Sequence, residues 1–127
     1  MPTPSNCRFS ETHEWFRPEA DGTVTMGITQ HAADALTDIT FVEMKPAGTK
    51  IADGGVLGEV ESVKTSSEIY SPCSGEIAAV NDAASKDPSL LNSDPYGKGW
   101  LVKLKGCDAS KIAGLMDAAT YDKKTAH

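Results

Sequence analysis

No apolar run in this sequence approaches the length needed to cross a bilayer, and no two of its cysteines form a CxxC pair. Cys7, Cys73 and Cys107 are odd in number and widely spaced, which suggests neither a disulfide framework nor a zinc site and favours a reducing compartment. The opening MPTPSNCRFSETHEW lacks the apolar centre of a secretory leader and the arginine-rich, acid-poor character of an organellar one. A bacterial cytoplasm is the expected location, with a mature mitochondrial form trimmed from a precursor as the second choice. Positive charge is also scarce: 12 Lys and Arg stand against 18 Asp and Glu, a formal charge of −6. That balance repels phosphate backbones and anionic bilayers, so no nucleic-acid or membrane partner is expected, and proteins with basic patches suit it better. What remains is a chain of 127 residues, long enough to bury a core without disulfides or metal. It is expected to form one domain over residues 1–127 and to be a monomer.

Strand signals fill the first two thirds of the chain. TVTMGIT (residues 23–29) follows the turn pair Asp21-Gly22, and DITFVEMKP (residues 38–46) alternates Ile39, Phe41 and Glu43 before a Pro and Gly stop. Between them QHAADAL predicts a short helix opened by Thr29 or Gln30. Residues 55–62 read as a strand, 63–67 as a turn and 68–71 as the returning strand, followed by a bend at Pro72 and Gly75 and the strand EIAAV. Asp87-Pro88 looks like a helix start running to Leu91, and WLVKLK is a strand with Trp100, Val102 and Leu104 on one face. From Asp108 onward Ile112, Leu115, Met116 and Ala119 recur at spacings of three and four, which predicts one C-terminal helix continuing through Tyr121 and DKKTAH.

The stretch GEVESVKTSSEIYSPCSGEI, residues 58–77, places Lys64 at a hairpin tip, where a tight turn ordinarily carries glycine or asparagine. A tip lysine is usually a solvated charge and nothing more, so its context has to decide. A lysine that forms a Schiff base must lose its proton near neutral pH, which requires an apolar pocket or a cationic neighbour. Glu61 and Glu68 flank this turn instead and favour the charged ammonium. The other functional reading, a lysine that a second enzyme modifies, needs only an accessible tip.

Gly48 lies sixteen positions before Lys64 and Gly75 eleven after it, with Glu61-Ser62 just ahead and Ser71-Pro72 behind. This pattern resembles the lipoyl and biotinyl carrier domains. Both glycines are expected to allow backbone conformations closed to other residues, at bends placed symmetrically about the turn. Biotin carriers usually show methionine on both sides of the lysine and oxo-acid dehydrogenase lipoyl domains aspartate before it, whereas this chain has Val63 and Thr65. ESVKTSSEIYSPCSGEI is most similar to the glycine cleavage system H proteins, and so are THEW, GITQHAADALTDITFVE and NSDPYGKGW, in the same order. The resemblance covers nearly all of residues 9–121. Thr12 stands where that family often has serine, Glu68 where it has aspartate, and Cys73, read as a small buried hydrophobe, where it has valine or isoleucine.

The resemblance implies a mainly β fold, a flattened barrel or sandwich hybrid of the lipoyl-domain type with short helices and a C-terminal helix. It implies a non-catalytic carrier whose Lys64 bears covalent lipoate, with Glu61, Gly48 and Gly75 read by the lipoate-attaching enzyme. The implied partners are a pyridoxal-phosphate (PLP) glycine decarboxylase that loads an aminomethyl group, a tetrahydrofolate-dependent aminomethyltransferase that removes it, and the FAD enzyme dihydrolipoyl dehydrogenase that reoxidises the arm. A loaded arm needs shelter from water, and Glu14, Thr12 and Glu68 match family positions lining its cleft, Glu14 being the main candidate to pair with the amine. His13 is expected to be structural, since His31 and His127 are distant in sequence and nothing completes a metal site. Trp15 and Trp100 are expected in the core or the cleft walls. Two alternatives stand beside the carrier of glycine cleavage: an H-like protein relaying lipoyl or octanoyl groups to other lipoyl domains, and a small lysine-dependent enzyme.

Overall fold

A computed structural model describes residues 3–125, and the ends of the expected domain and of the helix through DKKTAH, residues 1–2 and 126–127, lie outside them. The described strands are β1 (Arg8–Phe9), β2 (Glu14–Pro18), β3 (Val24–Ile28), β4 (Ile39–Met44), β5 (Lys50–Ile51), β6 (Val56–Ser62), β7 (Ser66–Tyr70), β8 (Gly75–Val80) and β9 (Val102–Lys105). They form a six-stranded sheet, β1-β2-β3-β9-β8-β5, and a three-stranded sheet, β4-β6-β7. Every pairing is antiparallel, and the two sheets form a sandwich, unclosed, whose core includes Phe16, Met26, Leu57, Val60, Ile77 and Leu104. The mainly β architecture expected from the sequence is what is found.

β3 and the β6–β7 hairpin fall close to their predicted bounds: β3 is buried along its whole length, and in β6 the inward-facing Leu57 and Val60 are three residues apart because a bulge at Leu57 shifts the alternation. Helix α1 (Gln30–Leu36) is capped by Thr29, whose hydroxyl accepts the Ala32 N–H at 3.2 Å. In β4 the predicted alternation breaks. A register shift between Ile39 and Phe41 leaves Ile39 5% exposed and Phe41 40% exposed, since one extra residue turns the following side chains to the other face.

Three further expectations are corrected. Asp87-Pro88 does not open a helix: Asp87 ends α2 (Asp82–Lys86), which Asn81 caps, and α3 (Leu90–Ser93) begins after Ser89. The C-terminal helix is two helices, α4 (Ala109–Ala113) and α5 (Ala118–Thr125). Gly114 ends the first, and Met116 is drawn into an antiparallel bridge with Phe9, with N–H to carbonyl distances of 2.8 and 3.1 Å; Asp117 then accepts the Thr120 N–H and α5 starts. Finally, Cys73 and Cys107 are joined as a disulfide, with Cα atoms 5.7 Å apart. The cause is register: β8 pairs Glu76 with Lys105 on β9, so the bend before β8 and the loop after β9 meet. Cys7 remains a free, buried thiol whose pKa burial pushes up to about 11.

A second cluster, Cys7, Phe9, Trp15 and Tyr121, lies where α5 covers β1. Tyr121 stacks on Phe9 with ring centroids 4.8 Å apart. Trp15 is fully buried, its indole N–H reaching Pro95 O at 2.9 Å, and it lies across from Gly27, where a Cβ would come within 2.9 Å of the ring nitrogen. Burial of side chains this large stabilises the fold by roughly 2–3 kcal/mol each. Trp100 is half-buried against this cluster, as a core or wall residue, with the Lys103 ammonium over its ring.

Candidate functional site

Lys64 is exposed at the tip joining β6 to β7. The turn that presents it is organised by Ser62. The Ser62 hydroxyl accepts the backbone N–H groups of Lys64 and Thr65, both at 3.1 Å, while the Ser62 N–H donates to Thr65 O at 2.7 Å. These bonds take the place of a glycine turn, so a non-glycine residue can occupy the tip. Ser62 went unremarked as a turn-former in the sequence, although a serine two residues before the tip is a recognisable signal for a side-chain-closed turn. On its other side the tip rests on the α1–β4 elbow: Val63 N–H donates to Asp38 O at 3.1 Å and Lys64 Nζ to Ala35 O at 3.4 Å. Val63 is 71% exposed beside the lysine.

Glu61 is the last β6 residue before Ser62, paired with Ser66, so it stands at the tip as expected. The two glycines do not. Gly48 precedes β5 and Gly75 opens β8, and they belong to the β5–β8 pairing of the larger sheet. They also differ in cause: Gly48 has φ +91°, whereas Gly75 lacks a positive φ and is needed because a Cβ there would approach Lys105 O to 2.8 Å.

Thr12 and Glu14 come together. Glu14 is 2% exposed; its Oε1 accepts the hydroxyls of Ser10 (2.7 Å) and Thr12 (2.5 Å), and its Oε2 accepts the Tyr70 N–H at 2.9 Å. Burial raises the Glu14 pKa, opposed in turn by the bonds from Thr12, Tyr70 and Ser10. Because Tyr70 belongs to β7 and Glu14 to β2, this carboxylate ties the two sheets together. Glu68 lies apart from that pair, on the exposed face of the smaller sheet, in a row of directly paired residues Glu43, Glu59 and Glu68. These three, with Met44, Pro46 and Val56, line a groove of about 530 Å³.

His13 and His31, remote in sequence, are neighbours with ring centroids 4.6 Å apart. His13 has φ +67°, and its Nδ1 is 2.8 Å from the Tyr121 hydroxyl, which is in turn 2.8 Å from the buried Thr29 hydroxyl. Burial first and the neighbouring His31 second hold the His13 pKa below its ordinary value. Burial pushes the Tyr121 hydroxyl up to about 12.

Residues 7–127 match the family model described as glycine cleavage H-protein. The chain is 50% identical over 119 residues to the glycine cleavage system H protein of Cronobacter sakazakii, covering 94% of this chain and 92% of that protein. It is 47% identical over 119 residues to that of Pseudoalteromonas atlantica, with the same coverage. The crystal structure of a glycine cleavage system H protein from Mycobacterium marinum superposes with a TM-score of 0.86 at 37% identity, over 98% of this chain and 99% of that one.

Proposed function

The chain belongs to the glycine cleavage H-protein family, the lipoyl carrier of the glycine cleavage system, and we propose that Lys64 is the residue through which it carries lipoate. As a member of that family it is a non-catalytic component, and the lysine-dependent enzyme considered from the sequence is set aside. The observation that carries the Lys64 assignment is the tip itself: an exposed ammonium on a turn closed by the Ser62 side chain, at the end of a hairpin whose other residues are held in a sheet. A modifying enzyme needs a protruding amine of this kind on a rigid support. Glu61, adjacent to the tip, is the residue we assign to recognition by that enzyme. Gly48 and Gly75 serve recognition indirectly, by keeping the β5–β8 base from which the hairpin springs in one conformation.

The groove beside Glu68 fits an aliphatic arm with a cationic end, since apolar Met44, Val56 and Pro46 line it and its three carboxylates outnumber the one ammonium there, Lys45. When bound, lipoate supplies the dithiol that takes up and releases the aminomethyl group. The chain's own residues supply position and shelter. Glu68 is exposed to the groove and is assigned the direct contact with the amine, while Glu14 and Thr12 act from behind β7. The partners follow the family: the PLP-dependent glycine decarboxylase, the tetrahydrofolate-dependent aminomethyltransferase, the FAD enzyme dihydrolipoyl dehydrogenase and a lipoate-attaching ligase. Among the described residues no helix is long and apolar enough to cross a membrane, and the relatives named are bacterial, so a bacterial setting is proposed for the chain, with the Cys73–Cys107 bridge arguing against the reducing compartment expected from cysteine spacing.

Intact mass tests the assignment. After incubation with a lipoate-attaching ligase the chain is expected to gain the mass of one lipoyl group and Lys64→Arg none; modification of Lys64→Arg would overturn it. Reconstituted with the decarboxylase, the lipoylated chain is expected to support exchange of carbon dioxide with the glycine carboxyl. Absence of exchange from fully lipoylated chain would favour the lipoyl relay instead.

A further inference from the structure

The α1–β4 elbow carries the hairpin tip, and it is an unusual place to rest it. Thr37, which ends α1, has φ +63° and ψ −140°, a region that is nearly glycine's alone and especially unfavourable for a β-branched residue. Such a conformation persists only where its surroundings over-determine it. The Thr37 N–H donates to Ala33 O and Asp34 O at 3.1 and 3.3 Å. Beyond it, one side chain from another element closes the elbow: Asn92 on α3 donates from Nδ2 to Thr37 O at 2.7 Å and accepts the Ile39 N–H on Oδ1 at 3.0 Å. Its amide thus grips the backbone on both sides of Asp38. Asp38 O is the acceptor for Val63 N–H, and Ala35 O, one turn back, is the acceptor for Lys64 Nζ.

We propose that Asn92 is a positioning residue for Lys64, acting through the elbow: it holds the Asp38 and Ala35 carbonyls where they receive the tip's backbone N–H and the lysine nitrogen. The inference rests on Lys64 being the modified lysine. Acylation removes the charge from Nζ but leaves one N–H, the single donor that the Ala35 carbonyl requires, so the same contact aims the side chain before and after modification. A tip released from the elbow spends only part of its time in the conformation the ligase accepts. A fractional population of this kind raises the apparent KM and leaves kcat in place.

The test measures ligation kinetics and backbone amide exchange together. Asn92→Ala is expected to raise KM for the lipoate-attaching ligase about tenfold, with kcat within about twofold, and to speed Val63 amide exchange about tenfold, the scale set by losing two hydrogen bonds. Asn92→Asp keeps the acceptor for Ile39 N–H and sets an oxygen against Thr37 O; it is expected to change both quantities in the same direction, and it decides the matter if Asn92→Ala does not fold. Ile112→Ala, a core truncation away from the tip, lowers Tm by an amount to be compared at matched stability and is expected to leave KM unchanged. Wild-type values of KM and Val63 exchange in the Asn92 variants, or the same rise in KM in Ile112→Ala, would overturn the proposal. If the wild-type chain accepts no lipoyl group at all, the modification reading fails, and Val63 exchange alone then decides whether Asn92 holds the tip.

Discussion

His13 sits where three elements meet, and its protonation state is written into the hydrogen bonds around it. Ala32 N–H donates to Thr29 Oγ1, and the Thr29, Tyr121 and His13 polar atoms follow at 2.8 Å intervals. One proton arrangement satisfies them all: Thr29 donates to Tyr121, and Tyr121 donates to Nδ1 of a neutral His13. A protonated His13 must donate at Nδ1, which turns Tyr121 to donate to Thr29 and leaves the Thr29 hydroxyl proton without an acceptor at a site with 0% exposure. This agrees in direction with the pKa, held below 6.5 by burial and then by His31. The sign follows from linkage: as pH falls through about 6.5 the unfolded chain takes the proton first, so the contribution of His13 is full above that pH and is lost toward the folded value. Thermal unfolding is expected to show a steeper fall in Tm as pH drops below 6.5 for the wild type than for His13→Gln. Equal slopes would show that His13 is not the titrating group.

Elements that short-range periodicity builds were legible in the sequence, and those built by long-range partners were not. α1, β3 and the hairpin follow from apolar spacing and from a capping Thr29. β1 and β5 have two residues each, too few to carry a period, and exist because Phe9 finds Trp15 and Met116 and because Ile51 finds Gly75. The predicted single helix after Asp108 had the right spacing, but Met116 is claimed by β1, and spacing alone cannot reveal a competing strand. At the candidate site, the position of Lys64 and Glu61 at the hairpin tip could be read from the sequence, whereas the Asn92 grip on the elbow could not, since its partners are backbone atoms of distant residues. The disulfide belongs with these long-range features. Linking Cys73 to Cys107 across 34 positions restricts the unfolded chain and corresponds to about 4 kcal/mol of stabilisation in the chain-entropy picture. Oxidised wild type is therefore expected to melt about 15 °C above Cys107→Ser, and reductant is expected to lower Tm in the wild type only. Identical melting of oxidised and reduced wild type, with two free thiols titrating besides Cys7, would show that the bridge does not form.

For the whole molecule, the proposed roles of the Lys64 hairpin and of the groove beside Glu68 require the two to stay in fixed relation, and both are built mainly on the smaller sheet while the larger sheet supplies most strands. Glu14 is a direct tie between them, from β2 to the Tyr70 N–H on β7. Its burial makes the tie conditional. A carboxylate whose folded pKa is raised contributes most when protonated, and that contribution declines as pH rises from its ordinary value near 4.5 through the folded one. Charge and tether can be separated by substitution. Glu14→Ala removes the acceptor, leaves the Tyr70 N–H without this partner and is expected to cost about 1–3 kcal/mol. Glu14→Gln retains an oxygen for Tyr70 and is expected to be within about 1 kcal/mol of wild type at neutral pH, because the cost of a buried charge goes with the charge. Neither is expected to prevent lipoylation, since the tip is closed by Ser62 and held by the elbow, away from this tie. The lifetime of the aminomethyl-loaded arm is then decisive. If Glu14 shelters the arm by fixing β7 behind the groove, the lifetime falls in Glu14→Ala and stays near wild type in Glu14→Gln. If its charge pairs with the amine, both variants lose it, and an unchanged lifetime in both would leave the shelter to Glu68 and its neighbours in the groove.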